Sequence, residues 1–295
     1  MKIICMGSFN RDMVYAVEHI AAPGETIAAD SVAVHWGGKG LNQALALSRA
    51  YNAVSMAGFV HKNDADVLAL LQENKIDAAC VQFSDAPTGH AIISVDAHGQ
   101  NSILLFHGAN YSFTPEGVKA ALSRFSAGDI LLLQNEINCM DEILRTAKAL
   151  GLRVALNPSP FEKSLLSLPL DAVHWFLINE IEGEQLTGCT EPAAIAQQLH
   201  TRFPDAEIVL TLGGEGVYYR AGDTILTHAA YKVPVVDTTA AGDTFTGFFL
   251  GSMARGESAE TALEIASKAS AIAVSRKGAT TSIPSLDEVN AYKES

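Results

Sequence analysis

A three-layer α/β sandwich around a mostly parallel sheet, with a small β-sheet lid, is the fold this sequence predicts. Three observations lead there. Short apolar strands alternate with amphipathic helices through the second half of the chain. Two β-rich stretches in the first half do not fit that alternation. At 295 residues and 48% hydrophobic, the chain can bury a large core. No low-complexity linker, charge block or internal repeat divides it, so 1–295 reads as a single α/β domain.

Each element follows from its local pattern. Lys2–Met6 reads as a buried first strand, and Ile27–Trp36 alternates loosely like an exposed or half-covered one. Gly37-Gly38-Lys39-Gly40 then opens a helix to about Tyr51, and Asp64–Asn74 is another amphipathic helix. Gly89–Asp96 and Asn101–His107 flank the turn Ala97-His98-Gly99-Gln100 as a β-hairpin. Regular alternation follows: helix Pro115–Phe125, strand Asp129–Gln134, helix Asp141–Leu150, strand Arg153–Leu156 and strand Trp175–Ile178. Helices Glu180–Leu186 and Pro192–Phe203 and strand Ile208–Leu212 continue it. The β-rich pieces, about 10–36 and 89–107, suggest a small sheet inserted into the α/β body, able to close over a cleft and exclude water.

Composition excludes several classes. Lys plus Arg number 20 against 33 for Asp plus Glu, a formal charge of −13, which argues against a nucleic-acid footprint or an anionic membrane surface. The start, Met1 to Gly7, is interrupted too early for a signal peptide, and no apolar run approaches a membrane span. The four cysteines (Cys5, Cys80, Cys139, Cys189) form no Cys-x-x-Cys pair, and reduced thiols in a cytoplasmic protein are the economical reading. The nine histidines show no metal-binding spacing.

Three segments carry chemistry. In Asp237-Thr238-Thr239-Ala240-Ala241-Gly242-Asp243-Thr244-Phe245, small residues lead into a carboxylate and then a helix. Such a turn aims unpaired N–H groups and the helix dipole at an anion, and the acid could take a proton from a hydroxyl nucleophile. An ordinary N-cap with close packing accounts equally well for this fragment alone. Gly7-Ser8-Phe9-Asn10-Arg11-Asp12 follows the first strand, and Asn10 and Asp12 point to one side in extended geometry. Together they could bind vicinal hydroxyls, or merely form an Asx turn. Gly37-Gly38-Lys39-Gly40-Leu41-Asn42-Gln43-Ala44 lets the backbone approach a ligand, with Lys39 and Asn42 adding polar contacts near a helix start. It is neither a Walker A loop nor a dinucleotide fingerprint.

In this order and separation, these three segments resemble those of the ribokinase-like (phosphofructokinase-B type) carbohydrate kinases, over nearly the whole chain. The resemblance implies an ATP-dependent sugar kinase acting on the 5-hydroxyl of D-ribose, with Mg²⁺ and K⁺ as cofactors. A kinase for a nucleoside, deoxyribose or another furanose, or a catalytically silent sugar sensor on the same fold, is the alternative. Asp243 would be the general base, and the N–H groups around Ala241, Gly242 and Asp243 the anion hole. Asn10, Asp12, Gly38, Lys39, Asn42 and Glu136 would bind the sugar, with Ala91 and Ile93 on the covering face of the lid. Asn157-Pro158-Ser159-Pro160 is similar to the family's Asn-Pro-x-Pro turn.

Asn179 would reach nucleotide phosphates, with Thr211, Gly213, Gly216 and Gly242 completing the nucleotide site. Glu182, from the Asn-x-x-Glu motif, would help hold Mg²⁺ through water. Asp237, Thr239, Ala273, Arg276, Gly278 and Ser282 match a monovalent-cation site, mostly through backbone carbonyls. A homodimer through the lid is also implied. Leu41, Arg11 and Ser267 depart from the pattern: Leu41 could crowd the sugar pocket or merely face the core, Arg11 is an unusual charge beside the pocket, and Ser267 stands near adenine.

Overall fold

The computed structural model describes residues 1–293. In chain order it runs β1 (Ile3–Met6), β2 (Asn10–Ala16), β3 (Ser31–Gly37), α1 (Lys39–Ala50), β4 (Val54–His61), α2 (Val67–Glu73) and β5 (Asp77–Ser84). Next come β6 (Gly89–Val95), β7 (Asn101–Phe106), α3 (Pro115–Leu122), β8 (Ile130–Gln134), α4 (Met140–Leu150) and β9 (Arg153–Asn157). The chain continues through β10 (Val173–Asn179), α5 (Glu180–Thr187), α6 (Pro192–Arg202), β11 (Glu207–Thr211), β12 (Val217–Ala221) and β13 (Thr224–His228). It closes with α7 (Ala241–Arg255), α8 (Ala259–Val274) and α9 (Leu286–Ala291).

Nine strands form the main sheet in the order β13-β12-β11-β10-β9-β8-β1-β4-β5. All neighbours from β11 to β5 are parallel, and β12 and β13 add an antiparallel edge. Alternate side chains explain the three layers. Ile3 and Cys5 of β1 join one core cluster, whereas Ile4 and Met6 join the other. The first cluster gathers Leu45 of α1, Phe248 and Phe249 of α7 and Leu263 of α8. The second gathers Val118 of α3, Leu144 of α4 and Leu199 of α6. Each such fully buried side chain contributes about 1.5–3 kcal/mol.

Two features of this arrangement position the site. From β1 the chain moves to β4 and β5 on one side, then returns to β8 on the other, so the strand order reverses between β1 and β8. Outside the carboxyl ends at such a reversal lies the usual ligand crevice of an open α/β sheet. Second, α7 packs very closely on α1. A Cβ on Gly247 would lie 2.5 Å from the Ala46 Cβ, and one on Gly251 would lie 2.6 Å from the Ala50 Cβ. Glycine costs about 1 kcal/mol in a helix interior relative to alanine. Here it lets the N-terminal turns of the two helices meet.

The small sheet has the order β3-β2-β6-β7. The expected hairpin is present, with His90 opposite Phe106 and Val95 opposite Asn101. Its turn is held by the Asp96 carboxylate, which accepts from the N–H groups of His98 and Gln100. The strand expected over Ile27–Trp36 begins only at Ser31, because its partner β2 ends at Ala16, which pairs with Ser31. The helix expected from Asp64 begins at Val67, since Asp64 and Asp66 lie in a turn and bind Arg11.

Candidate active site

Where β1 ends, the chain is tied to the start of α1 and to the end of β8. Ser8 Oγ donates to Glu136 Oε2 and accepts from the Gly40 N–H at 3.2 Å. Lys39 N–H donates to the same Glu136 oxygen at 3.1 Å, and Leu41 N–H to the Ser8 carbonyl at 3.0 Å. This contact needs glycine at position 40, where a Cβ would lie 2.3 Å from the Ser8 nitrogen and 2.6 Å from the Gly7 carbonyl carbon. Gly38 caps α1, its carbonyl accepting from the Asn42 N–H.

Asn10 and Asp12 do share one face of β2, together with Ala91 and Ile93 across the ladder to β6. Asn110 fixes the root of β2. Its Oδ1 accepts from Phe9 N–H, and its Nδ2 donates to the Phe9 carbonyl and to Asn10 Oδ1. Asp12 looks toward Glu136 and Asp243. Burial, reinforced by those two negative charges, pushes its carboxyl up to about 6. Burial also raises Glu136, against the opposing pull of Ser8 and Lys39. Lys39 is held above its usual value: burial disfavours its charge, but Asp243, Glu136 and Glu182 together outweigh that.

The start of α7 faces this group. Ala240 takes the left-handed conformation, with φ 59°, and turns the chain into the helix. For a non-glycine residue that costs about 1–2 kcal/mol. At the last step of the turn Ala241 N–H lies 3.3 Å from the Thr238 carbonyl, a weak bond, and the N–H groups of Gly242 and Asp243 open the helix. The 15-residue helix directs its positive end here. Asp243 is clamped across the chain: Asn42 Nδ2 donates to its Oδ2 at 3.1 Å and Gln43 Nε2 to its Oδ1 at 2.8 Å.

Two cavities meet at this helix start. One, of about 220 Å³, is lined by Lys39, Asn179, Glu182, Thr211, Gly242 and Asp243 among others. The other, of about 490 Å³, shares Thr211, Thr238, Gly242 and Phe245 with it and extends past Gly213, Gly216 and Ser267 to the apolar Ala271 and Val274. Asn179 caps α5 through its side chain, which accepts from Glu182 N–H at 2.8 Å, while Glu182 Oε2 accepts from Asn179 N–H at 3.2 Å. Beside the shared rim, the Asp237 carboxylate accepts from Thr239 N–H and Gly278 N–H, each at 2.9 Å. Burial works against its charge, but these hydrogen bonds prevail and hold it below the usual range. Ala273 accepts from Arg276 N–H, and the Arg276 side chain turns away to Glu288. Ser282 Oγ donates to the Ala279 carbonyl.

Lys39, Asn179, Glu182, Thr211, Gly242 and Asp243 thus line the cavities at the helix start, with Asn42 bonded to Asp243 and Glu136 to Lys39 N–H. The Arg276 side chain, by contrast, points away, Leu41 faces the core, and Arg11 pairs with Asp64 and Asp66 on the other face of β2. Sequence reasoning passed over Ser8, Gln43, Asn110 and Gln134. Ser8 and Gln43 lie inside the quoted motifs, and Gln134 precedes Glu136 by two positions. No local signal marks Asn110. Among the described residues, no group of three or more His, Cys, Asp or Glu side chains is placed to hold a metal.

A helix start with open N–H groups, a carboxylate clamped beside it and two confluent cavities on an α/β sheet are what a small-molecule kinase requires. Residues 1–286 match the pfkB family carbohydrate kinase profile, and the chain belongs to that family. It is 38% identical over 314 aligned positions to a ribokinase of Schizosaccharomyces pombe, covering 98% of this chain and 97% of the relative. Among solved structures, the ribokinase of Thermotoga maritima superposes with a TM-score of 0.87 at 32% identity, over 99% of this chain and 98% of that one. The Arabidopsis thaliana ribokinase complexed with ribose and ATP gives 0.82 at 29% identity, over 98% and 97%.

Proposed function

We propose that this carbohydrate kinase transfers the γ-phosphate of ATP to the primary 5-hydroxyl of D-ribose. The observation that carries the reading is the clamped Asp243 carboxylate on the wall of the smaller cavity, next to Gly242, which lines both. The likeness to ribokinases over nearly the full chain supports ribose as the sugar and ATP as the donor.

In this reading the larger cavity takes the nucleotide, its apolar end near Ser267 and Ala271 receiving adenine and its turn at Gly213 and Gly216 the ribose and phosphates. The sugar lies among Asn10, Asp12, Gly38, Lys39, Asn42 and Glu136. Asp243 accepts the proton of the attacking hydroxyl, which contributes about 10²–10⁴-fold. The N–H groups of Ala241, Gly242 and Asp243, with the Lys39 ammonium, meet charge developing on the transferred phosphoryl group. Asn179 and Thr211 line the path of the phosphates between the cavities.

The residues fit both cations. Besides the clamped Asp243, one carboxylate, Glu182, stands on the cavity wall and suits Mg²⁺, which keeps most of its waters and takes few protein ligands. Bound there with the nucleotide, it would supply neutralising charge to the phosphates. Asp237 sits where the 237–239 segment meets the 273–282 segment, whose backbone carbonyls and Ser282 hydroxyl offer the hard oxygen donors that K⁺ takes. Held between them, K⁺ would order the turn that leads into α7.

The small sheet serves as a lid over the sugar, and the chain acts as one domain, 1–295, with lid pieces at about 10–36 and 89–107. Its outer face carries exposed Val32, Val34, Ile92 and Leu104 on the side of Arg11, opposite Asn10 and Asp12. A second copy of the chain covers that face in a homodimer. A cytoplasmic location suits the four free cysteines and the lack, among described residues, of a helix able to cross a membrane.

Asp243→Asn tests the reading. Turnover should drop by about 10²–10⁴ with ribose and ATP binding retained. Near-normal turnover removes Asp243 from the role of base, and an ADP-release assay across ribose, deoxyribose and nucleosides decides the acceptor.

A further inference from the structure

Gln43 touches neither cavity, yet its buried amide is fully used. A carboxylate only accepts hydrogen bonds, so toward Asp243 this amide must present its NH₂ group. Nε2 donates to Asp243 Oδ1 at 2.8 Å and to Asn157 Oδ1 at 3.0 Å. That orientation turns Oε1 toward β8, where it needs a donor. Gln134, also fully buried, supplies one from Nε2 at 2.6 Å. Asn157 in turn donates to the Leu177 carbonyl at 2.9 Å and to Glu182 Oε2 at 3.4 Å. The result is a directional relay from Gln134 to Gln43, which then branches to Asp243 and to Asn157 and Glu182.

We propose that Gln43 is a positioning residue for phosphoryl transfer: it fixes the plane of the Asp243 carboxylate relative to the Glu182 side of the cavity, and Gln134 sets the direction of its amide. This rests on Asp243 being the base. Asn42 holds one carboxylate oxygen and Gln43 the other, so the pair together stop rotation of the group. Each oxygen keeps a lone pair free for the sugar hydroxyl. Removing Gln43 frees that rotation without taking any group from the sugar or the nucleotide. Its loss therefore falls on the chemical step and spares binding.

The experiment is single-turnover transfer from ATP to D-ribose in Gln43→Met, Gln134→Met and the double variant. Dissociation constants for both substrates and thermal melting are measured alongside, with Asp243→Asn in parallel. Gln43→Met should slow transfer by roughly 10–100-fold, the scale of a misplaced catalytic group, with both dissociation constants within about two-fold. Gln134→Met should slow it less, and the double variant should be no slower than Gln43→Met, because Gln134 acts through Gln43. Unchanged transfer, additive losses in the double variant, or a loss that appears as weaker binding overturns the proposal. If Gln43→Met does not fold, Gln134→Met decides: slowed transfer at unchanged affinity supports the relay, and normal transfer overturns it. Slow Asp243→Asn with normal Gln43→Met overturns positioning alone. Near-normal Asp243→Asn overturns the base assignment and the relay with it.

Discussion

Replacing Gly40 by alanine tests how the site is assembled. The added Cβ would lie 2.3 Å from the Ser8 nitrogen, 2.6 Å from the Gly7 carbonyl carbon and 2.7 Å from its Cα. All three are backbone atoms, so no side chain can swing aside. Ordinary contact begins near 3.4 Å, and α1 must therefore retreat from β1 by about 1 Å. That movement breaks the Gly40 N–H bond to Ser8 and carries Lys39, Asn42 and Gln43 with it. Overpacking of this kind costs about 1–3 kcal/mol, a fall in Tm of roughly 2–8 °C for a chain of this size. A 1 Å error in positioning costs up to about 10² in rate, so kcat/KM should fall far more than stability implies. Steady-state kinetics and differential scanning fluorimetry on Gly40→Ala measure both. Wild-type kcat/KM at an unchanged Tm would refute the claim that this backbone contact sets the site.

Four further outcomes follow from the structure. Asp12, with its carboxyl pushed up to about 6, should make kcat/KM for the sugar fall as pH drops through that value, and Asp12→Asn should remove the inflection. Because its native pKa lies above the 3.8 of the free group, Asp12 should also make the wild type lose stability relative to Asp12→Asn as pH rises from about 4 to about 6. Melting curves across that window read the sign, and a difference that grows the other way contradicts it. Arg11 pairs with Asp64 at 3.0 Å and Asp66 at 2.7 Å and stacks 3.7 Å over the Trp36 ring, so Arg11→Met should loosen the small sheet and raise KM for the sugar by about 3–10-fold with kcat nearly unchanged. Leu104→Lys on the outer face should convert dimers to monomers in sedimentation equilibrium, and monomeric wild-type protein would remove the second copy from the account.

Much of the α/β body was legible because its helices keep one apolar stripe and most central strands are short apolar runs. But β4 was missed, its run broken by Ser55, Ala57 and Gly58, and so was α8. Less legible strands fail for identifiable reasons. Edge strand β5 has mixed polarity, with Asp77, Gln82 and Ser84 among its residues, and only its Cys80 is buried. The β12–β13 hairpin closes through Gly222-Asp223 after the helix-strand alternation has ended. The motifs at Gly7–Asp12, Gly37–Ala44 and Asp237–Phe245 were visible, and strand ends bring them together. Their mutual contacts were not. Asn42 and Gln43 lie 201 and 200 positions from Asp243, and a helix pattern shows only that both face inward. The sequence resemblance assigned Asn42 to the sugar but did not show that its amide nitrogen holds Asp243, leaving its Oδ1 without a partner among the described residues.

Asn110 gives the small sheet a pivot. By gripping Phe9 and Asn10 from the segment where β7 returns to the body, it pins the outgoing and incoming strands at one point. Displacement in any swing about that point grows with distance along β2. At about 3.3 Å per residue, a 20° rotation sweeps Ala16 through about 7 Å and Asp12 through about 2 Å. Asn10 barely moves. Of the groups that would read the sugar's hydroxyls, Asn10 would thus stay in place whether the sheet is raised or lowered, and Asp12 would shift by about 2 Å, while the far end would travel furthest. With the small sheet acting as the proposed lid, selection of the sugar would precede its enclosure, and a poor fit would be released before the far end came down.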